Sequence, residues 1–421
     1  MSPNPNPDSA ALAESTVESS QGTSRRSFVG YVLAGTTLAV TADVAWQTAA
    51  PASASAADLT PIPGSTTFAD HYDFLDLYRD SCVPTNHLLK IDITPEGHAV
   101  FDLPRQEVGQ GITTSFAQVI ADELDMPIEN VKITLADARP ELVFNQLTGG
   151  STSHFSLWIP VKTMAATART ALASAAAEKW GVPASSVTTR DGACFGPEGQ
   201  RASYGSLSQL AAAKVTKPLH VELKSKPGKY VGQSIGRVDA HDMVTGAKKF
   251  AMDLKIPNAM PTMICRAPSI NGVLQSIENL DQVKKMPGVM GVAPISPGVA
   301  VRARTFGQCI DAIRALRVSW GPGTADGEDN DSLTEKVKSV LLPMAPAAPG
   351  QEVIEEEYVF QYRSGSPLET NCAVANVDGD KVEVWGPTNM PIVTLQRIAL
   401  LLDIPEDNVI VHCTTAGGSF G

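Results

Sequence analysis

The sequence lacks several features that mark large classes of protein. Its 33 basic side chains are outnumbered by 45 acidic ones, the formal net charge is -12, and no extended run of Lys or Arg is present. Nucleic-acid binding depends on neutralising phosphates with basic side chains, so no nucleic-acid partner is expected. The apolar stretch that ends near Val40 is too short and too weakly apolar for a membrane span of about 20 residues. We therefore expect an acidic, globular protein without a transmembrane span.

The six cysteines show none of the spacings that hold metals. They stand singly, with no Cys-x-x-Cys pair and no Cys/His cluster, at Cys82, Cys194, Cys265, Cys309, Cys372 and Cys413. We therefore expect no zinc, no iron–sulfur cluster and no metal held directly by a side chain of this polypeptide. Most of these cysteines have apolar neighbours, which favours buried free thiols over disulfides.

The N-terminus carries an export motif. The sequence SRRSFV at 24–29 precedes a mildly apolar stretch and then an Ala/Ser-rich segment with A-x-A sites near 52–56. This order is typical of a twin-arginine signal, and the alternative is a basic dipeptide in a disordered tail. Twin-arginine export carries folded proteins, so we expect a periplasmic or other extracytoplasmic protein that acquires any complex cofactor in the cytoplasm.

Apolar patterning divides the rest of the chain into helices and strands. Alternation on either side of Pro95-Glu96-Gly97 predicts a hairpin. Apolar periodicity predicts helices over 115–124, over 161–180 with a stop at Gly181, and over 306–315. With 421 residues, two or more domains are expected. The predicted segments are a signal and disordered N-terminus (1–57), a first ligand-binding segment (58–229), a separate α+β domain (230–325), a linker (326–350) and a second ligand-binding segment (351–421).

A ten-residue segment occurs twice. LDMPIENVKI at 124–133 and LDIPEDNVIV at 402–411 share Leu, Asp, Pro, Asn and Val in register. Each copy follows an amide-bearing loop and an amphipathic helix, with Gln110 14 residues before the first Leu and Asn389 13 before the second. Each copy also precedes a Gly-Gly-Ser loop. Two such units around a pseudo-two-fold axis would aim four loops at one crevice; the alternative is a duplicated scaffold without a site.

Two of these loops have the chemistry of an anion site. Gly109-Gln110-Gly111 leads into the N-terminus of a predicted helix, where unpaired N–H groups and the helix dipole favour an anion such as phosphate. The loop TGGSTS at 148–153 combines backbone N–H groups with hydroxyls ahead of the second helix. Either loop alone is weak evidence, because glycine-rich turns are common and mostly structural.

Together, four motifs resemble the cofactor loops of the xanthine oxidase family of molybdenum hydroxylases. They are EVGQGITTS at 107–115, TGGSTS at 148–153, PLE at 367–369 and GGSFG at 417–421. The GQG loop precedes the GGSFG loop, the reverse of the usual order. With the twin-arginine signal, this layout is similar to the isoquinoline 1-oxidoreductase beta-subunit group, which includes periplasmic aldehyde dehydrogenases. The resemblance implies an α+β fold in which permuted molybdopterin-binding halves flank an a/b hammerhead domain. Residues 238–253 resemble the opening of that domain in the family.

The resemblance also implies a cofactor and partners. It implies a molybdenum cofactor, molybdopterin in its cytosine dinucleotide form, and hydroxylation of aldehydes or N-heteroaromatics with water as the oxygen source. Electrons would pass to 2Fe–2S clusters on a small partner subunit and on to an acceptor such as a c-type cytochrome. The residues expected to bind the cofactor are Gly109, Gln110, Gly111, Gly149, Gly150, Ser151, Thr152, Asn389, Gly418, Phe420 and Gly421.

The sequence departs from the family pattern at three points. Asn389 stands where Gln is usual, and Ser419 stands where Gly is usual, which implies a negative φ there. The family's general base is a Glu in a G-x-G-E-like loop near the C-terminus, and no such loop occurs here. We therefore expect a split or truncated large subunit with no catalytic residue in this chain, and a second chain that supplies the base. Glu369, His154 and His412 are expected to be structural.

Two other functions remain open. A truncated product that lacks the catalytic Glu would be non-catalytic, or would serve only as a binding or interaction module. A nucleotide-binding dehydrogenase is disfavoured because no G-x-G-x-x-G follows a predicted strand. The sequence leaves the choice between aldehyde and N-heteroaromatic substrates open.

Overall fold

The computed structural model describes residues 37–41, 89–142, 145–213, 221–226, 228–343 and 346–420. The chain divides into two compact units, the first made of Met1–Lys248 with Pro387–Thr415 and the second of Lys249–Gly386 with Ala416–Gly421. Helices and strands are mixed along the chain, so the α+β class is confirmed. The twin-arginine motif at 24–29, the A-x-A sites at 52–56, Cys82 and Gly421 lie outside the described residues.

The helices are numbered in chain order: α1 Ile112–Glu123, α2 Thr152–Trp180, α3 Tyr204–Ala212, α4 Ala240–Thr245, α5 Leu280–Lys284, α6 Phe306–Ala315, α7 Asn330–Ser339 and α8 Pro391–Leu402. The strands are β1 Leu38–Thr41, β2 Lys90–Ile93, β3 Ala99–Leu103, β4 Val131–Leu135, β5 Thr188–Arg190, β6 Ala193–Phe195, β7 Arg201–Ser203, β8 Thr262–Arg266, β9 Leu274–Ile277, β10 Val289–Ile295, β11 Gly298–Ala303, β12 Val318–Trp320, β13 Val374–Asp378, β14 Lys381–Gly386 and β15 Val409–Cys413.

The first unit is built on a four-stranded sheet in the order β1-β2-β3-β4. The predicted hairpin is confirmed as antiparallel β2 and β3, and β3 pairs with β4 in parallel through the crossover helix α1. Apolar residues two apart, such as Phe101 and Leu103, are fully buried on one face of the sheet. The GQG loop therefore leaves the carboxyl end of β3, which is where α/β crossovers place ligand-binding loops.

Strand β1 lies inside the segment that the sequence predicts to be a disordered leader. Leu38 and Val40 are fully buried, and the strand pairs antiparallel with β2. The expectation of disorder is therefore wrong for Leu38–Thr41, because the two apolar side chains two residues apart share the buried face of the sheet.

The helices of the first unit cover this sheet. α2 ends at Gly181, as predicted, with φ 66 in the left-handed region. It begins at Thr152 rather than at 161, because the buried face of the helix continues through Ser156 and Leu157. With 29 residues it spans roughly 44 Å at about 1.5 Å per residue. None of the described helices is both long enough and apolar enough to cross a membrane.

The second unit has its own small core. Strands β10, β11 and β8 form one antiparallel sheet, β9 pairs with β12, and β13 with β14. Five residues at its centre are buried: Val283, Val292, Val299, Val301 and Ala312. Helix α6 has the predicted bounds and a capping box in which Thr305 and Gln308 bond each other's backbone. The a/b hammerhead assignment of this region remains a prediction.

Two boundaries differ from the sequence-based expectation. Helix α7 lies inside the predicted linker 326–350, because Asp329 accepts from the Ser332 backbone N–H and caps a helix that the acidic composition had marked as loop. Residues 230–248 stay with the first unit, because the backbone N–H groups of Tyr230 and Val231 donate to the Asp122 carboxylate.

The five described cysteines are free thiols, as predicted. Cys194 and Cys309 are buried, whereas Cys265, Cys372 and Cys413 are only partly buried. Burial, with a smaller contribution from the Asp137 charge, raises the pKa of Cys413 to about 12, so this thiol stays protonated at neutral pH.

Candidate functional site

The sequence repeat is also a repeat in structure. Helices α1 and α8 have 12 residues each, and each is followed by an aspartate in the left-handed region, Asp125 with φ 52 and Asp403 with φ 53. A proline, one turn of 3-10 helix and a five-residue strand follow in both copies, ending in β4 and in β15. Each strand then leads towards a Gly-Gly-Ser loop.

A buried polar segment at 105–107, Arg-Gln-Glu, joins the first copy's loops to one another. Its three residues are 2%, 3% and 0% exposed in chain order. The Arg105 guanidinium donates to the Leu147 carbonyl, and the Gln106 backbone N–H donates to Thr148 Oγ1 at 2.8 Å. Sequence reasoning assigned none of these three residues to the site. The signal available was three consecutive polar residues between a buried strand and the GQG loop.

The Glu107 carboxylate occupies the position that the sequence suggests for a bound anion. It accepts backbone N–H groups from Gly109 at 2.9 Å, Gly111 at 3.1 Å and Thr113 at 3.3 Å, and the Thr113 hydroxyl at 3.1 Å. Arg237 Nη2 lies 3.5 Å from Glu107 Oε1. Burial would raise the pKa of Glu107, but these hydrogen bonds and the Arg237 charge outweigh burial and lower it.

The start of α1 is therefore not an open anion site. Its N–H groups at Gly111 and Thr113 are already bonded to a protein carboxylate, which also complements the helix dipole. The expectation that Gly109-Gln110-Gly111 offers free N–H groups to a phosphate is wrong at Gly109 and Gly111, whose N–H groups both donate to Glu107.

The Gln110 side chain folds back onto its own loop. Its Oε1 accepts from the Val108 backbone N–H at 2.7 Å, and its Nε2 donates to the Gln106 carbonyl at 2.8 Å. The Arg237 Nη1 group donates to the Gly109 carbonyl at 2.9 Å and holds the loop from its other side. Gln110 is exposed, so a ligand that touches it would meet an amide already fixed in one orientation.

The Gly-Gly-Ser loop before α2 is open in a way that the GQG loop is not. Gly150 and Ser151 are both left-handed with φ 58, and Gly149, Gly150 and Ser151 are exposed. Helix α2 has no side-chain cap and no acidic residue in its first turn. The buried Thr152 bonds the Gly149 carbonyl through its hydroxyl at 2.9 Å. This loop keeps the N-terminal dipole of a long helix uncompensated.

Hydrogen bonds join the two copies of the repeat within the first unit. The Thr148 backbone N–H donates to the Asn389 carbonyl at 2.8 Å, and the Ala138 N–H donates to the Val411 carbonyl at 2.8 Å. The Gln106 Nε2 group donates to the Thr414 carbonyl. Asn389 thus lies next to the loop that carries Gly149 to Thr152, whereas the pseudo-two-fold arrangement of four loops stays a prediction.

The second Gly-Gly-Ser loop lies in the other compact unit. Gly417 N donates to Glu369 Oε2 at 2.7 Å, and the Met252 N–H donates to Glu369 Oε1 at 2.9 Å. A Cβ at Gly417 would lie 2.2 Å from the Glu369 Cβ, so only glycine fits. Gly418 has φ 128, and Phe420 is 72% exposed. Ser419 is absent from the positive-φ residues of the described chain, as predicted.

The two histidines next to the loops have structural partners. The His154 ring stacks on Phe116 with centroids 4.9 Å apart and lies 5.0 Å from Trp158. Burial lowers the pKa of His154, so its ring is neutral at neutral pH. His412 Nδ1 lies 2.9 Å from Asp137 Oδ2. Within the described ranges, no group of three or more His, Cys, Asp or Glu residues could hold a metal ion.

Among the residues that the structure describes, two buried oxygen atoms next to these loops have no hydrogen-bond partner. They are Gln106 Oε1 and Thr414 Oγ1. Buried polar groups in folded proteins are almost always hydrogen-bonded, so an orphan acceptor and an orphan hydroxyl on neighbouring residues suit a polar ligand. With the uncapped start of α2, this side of the first unit fits a molecule that carries both an anionic group and hydrogen-bond donors.

Comparison with known proteins gives these loops a family context. Residues 75–244 match a family described as "Molybdopterin cofactor-binding domain", and residues 344–421 match a second family of the same description. The chain is 27% identical over 333 residues to a subunit of nicotinate dehydrogenase from Pseudomonas putida, over 75% of this chain and 28% of that protein.

Two further relatives match a similar region. The beta subunit of isoquinoline 1-oxidoreductase from Brevundimonas diminuta is 24% identical over 385 residues, over 76% of this chain and 48% of that protein. A protein named membrane-bound aldehyde dehydrogenase (pyrroloquinoline-quinone), of Gluconacetobacter polyoxogenes, is 23% identical over 356 residues, over 78% of this chain and 46% of that protein. The matches thus span less than half the length of each of these three relatives.

Proposed function

Because the chain belongs to the xanthine oxidase family of molybdenum hydroxylases, we propose that it is the molybdopterin-binding part of a large subunit of such an enzyme. The enzyme would oxidise aldehydes or N-heteroaromatics with water as the oxygen source and pass electrons to a small 2Fe–2S subunit. One observation carries the proposal: the loops at 148–152 and at Asn389, one from each copy of the repeat, are hydrogen-bonded in one compact unit.

Different loops of the chain would contact different parts of the cofactor. The open start of α2, with Gly149, Gly150 and Ser151, would take the phosphate, because no side chain caps it and no acidic residue in its first turn compensates the helix dipole. Gly109 to Gly111 would shape the neighbouring wall, held by Glu107 and Arg237. Asn389 would orient the cofactor from the second copy. When bound, the molybdenum cofactor supplies the redox and oxygen-transfer chemistry.

We propose that the general base comes from outside this sequence. Glu369 is the carboxylate of the PLE motif in the second unit, but it accepts two backbone N–H groups. A carboxylate that already bonds two N–H groups holds its loop rather than taking a substrate proton. The base would then be contributed by a further chain or segment, as the sequence pattern suggests.

Cofactor content after expression of the full chain with its neighbouring reading frames tests the binding role. We expect molybdenum near one atom per chain, with CMP released on acid hydrolysis if the cofactor is the cytosine dinucleotide. The Gly150→Ala variant strains a left-handed position in the loop, and Gly181→Ala strains one at the far end of α2. Only the first should lower the molybdenum content. A wild-type chain without molybdenum or pterin would favour the non-catalytic binding module.

Activity of the same complex tests the reaction. The relatives are named for nicotinate, isoquinoline and aldehyde oxidation, which supports both substrate classes for this chain. We expect dye-linked oxidation of an N-heteroaromatic or an aldehyde, with oxygen from labelled water in the product and reduction of a c-type cytochrome. Label that came only from molecular oxygen would contradict the proposal.

We also propose export by the twin-arginine pathway. Changing Arg25 and Arg26 together to Lys should retain the chain in the cytoplasm, as measured by fractionation, whereas changing Lys90 and Lys132 to Arg should not. The mass of the exported chain is informative, because β1 precedes the A-x-A sites at 52–56. Processing at these sites would remove β1 from the sheet.

A further inference from the structure

The Gln106 carboxamide is held in one orientation with its oxygen unused. Its Nε2 group donates to the Glu107 carbonyl at 3.3 Å and to the Thr414 carbonyl. Both partners are acceptors, so the amide cannot be turned over without placing its oxygen against two carbonyls. Gln106 is 3% exposed, and its Oε1 has no hydrogen-bond partner in the part of the chain that the structure describes. A buried acceptor of fixed direction is thus left available.

Thr414 supplies a second unused group beside it. Its Oγ1 is buried and has no hydrogen-bond partner among the described residues, although its carbonyl accepts from Gln106. A hydroxyl can donate or accept, whereas the Gln106 oxygen can only accept. A ligand that satisfies both must therefore present at least one hydrogen-bond donor. A phosphodiester or pyrophosphate linkage alone, which offers only acceptors at neutral pH, does not fit.

The position of this pair indicates which end of a ligand it meets. The Gln106 backbone N–H donates to Thr148 Oγ1 at 2.8 Å, directly before the open Gly149-Gly150-Ser151 loop. An anion site and a donor-seeking site therefore adjoin. That combination suits a ligand whose phosphate is attached to a heterocycle with N–H and amino groups.

We infer that Gln106 and Thr414 form a recessed pair that receives a hydrogen-bond donor of the pterin ring and fixes the orientation of the cofactor. The inference rests on the proposed function and adds two residues that lie outside the glycine loops. The pair positions the ring while the start of α2 holds the phosphate. It also explains why two polar atoms are buried without partners in the protein itself, since a ligand group completes them.

Thr414→Val tests the pair, because it removes the hydroxyl and keeps both the shape and the backbone carbonyl that Gln106 uses. In cofactor-free chain from a host that cannot make molybdopterin, we expect an unchanged or higher Tm, since an unpaired buried hydroxyl is replaced by a methyl group. In chain from a competent host, we expect about fivefold less retained pterin, measured by fluorescence after oxidation. Thr414→Ser should restore retention.

Thr167→Val is the matched control. Thr167 is fully buried in α2, and its hydroxyl donates to the Thr163 carbonyl at 2.9 Å. The same change there should lower the Tm of the cofactor-free chain and leave pterin retention unchanged. A lower Tm of the cofactor-free Thr414→Val variant would show instead that the Thr414 hydroxyl stabilises the fold, through a structural water or through packing. If Thr414→Val retained as much pterin as the wild-type chain, the role of the Gln106–Thr414 pair would be overturned and the proposed function would stand. If the wild-type chain itself held no pterin, both the pair and the proposed function would be overturned.

Discussion

The Glu107 carboxylate determines whether the GQG loop can bind an anion, because it accepts N–H groups of the loop. The sequence places a glycine-rich turn before a helix, and that pattern predicts an anion site. The pattern does not reveal that Glu107, within the same motif, turns its own charge onto the N–H groups of Gly111 and Thr113. Which way a buried side chain points depends on contacts such as Arg237, 130 residues further along the chain, and no local spacing encodes them.

Replacing Glu107 by Gln should destabilise the first unit by about 2 kcal/mol at pH 7, because one oxygen is lost and the remaining donors face an amide nitrogen. Urea unfolding measures this. The pKa of Glu107 is lowered in the folded chain. Its contribution to the free energy of unfolding is therefore fully present when the pH is above the ordinary pKa of a glutamate, and it is lost as the pH falls through the lowered pKa. The difference between variant and wild type should therefore shrink in acid.

Glu129→Gln serves as the control for that experiment, since Glu129 is exposed and its carboxylate has no role in the loop. This substitution should change the free energy of unfolding by only about a few tenths of a kcal/mol. A gap between Glu107→Gln and wild type that widened in acid would contradict the ionised state of Glu107.

At the level of elements, periodicity predicted helices better than it predicted their ends. The bounds of α6 are those expected, because its apolar positions and its capping box agree. The start of α2 and the existence of α7 were missed for a common reason. Ser, Thr and Asp residues are frequent in loops, and in both places they form the first turn of a helix instead.

The two equivalent aspartates after α1 and α8 allow one substitution to be tested in two settings. Asp403→Gly should stabilise the chain by about 0.5 kcal/mol, because glycine adopts the left-handed region more easily and Asp403 is exposed. Asp125→Gly should destabilise it by about 1 kcal/mol, because the Asp125 carboxylate bonds Lys224 Nζ at 2.5 Å and Thr189 Oγ1 at 2.7 Å.

Thermal and urea unfolding of both variants measure the change in the free energy of unfolding that each substitution causes. Opposite signs would show that the backbone of the repeat is common to both copies while only the first copy uses its aspartate side chain. Equal destabilisation of the two variants would contradict the argument made from the exposure and the left-handed backbone of Asp403.

At the scale of the whole molecule, the described apolar residues form two separate cores. One lies in the first unit and includes Phe101, Phe116 and Val161; the other lies in the second unit and includes Val283 and Val301. The sequence predicted more than one domain from length alone. It could not predict that residues 387–415 belong with the first unit, because that depends on pairing across long separations.

Calorimetry should resolve these cores. Val161→Ala and Val301→Ala each remove two methyl groups from a fully buried site and should each cost about 2 kcal/mol. We expect two thermal transitions, with Val161→Ala lowering one midpoint and Val301→Ala lowering the other. A single transition that both variants lower equally would mean that the two units unfold together.

The bond from Gln106 to Thr414 joins residues 308 positions apart. At a synthesis rate of roughly 5 to 20 residues per second, about 15 to 60 seconds separate the appearance of these two residues at the ribosome. The larger part of the second unit, Lys249–Gly386, is encoded between them and is translated after Gln106 but before Thr414. The pair formed by Gln106 and Thr414 is therefore completed only after Lys249–Gly386 has been synthesised, and a nascent chain interrupted before Thr414 would lack it.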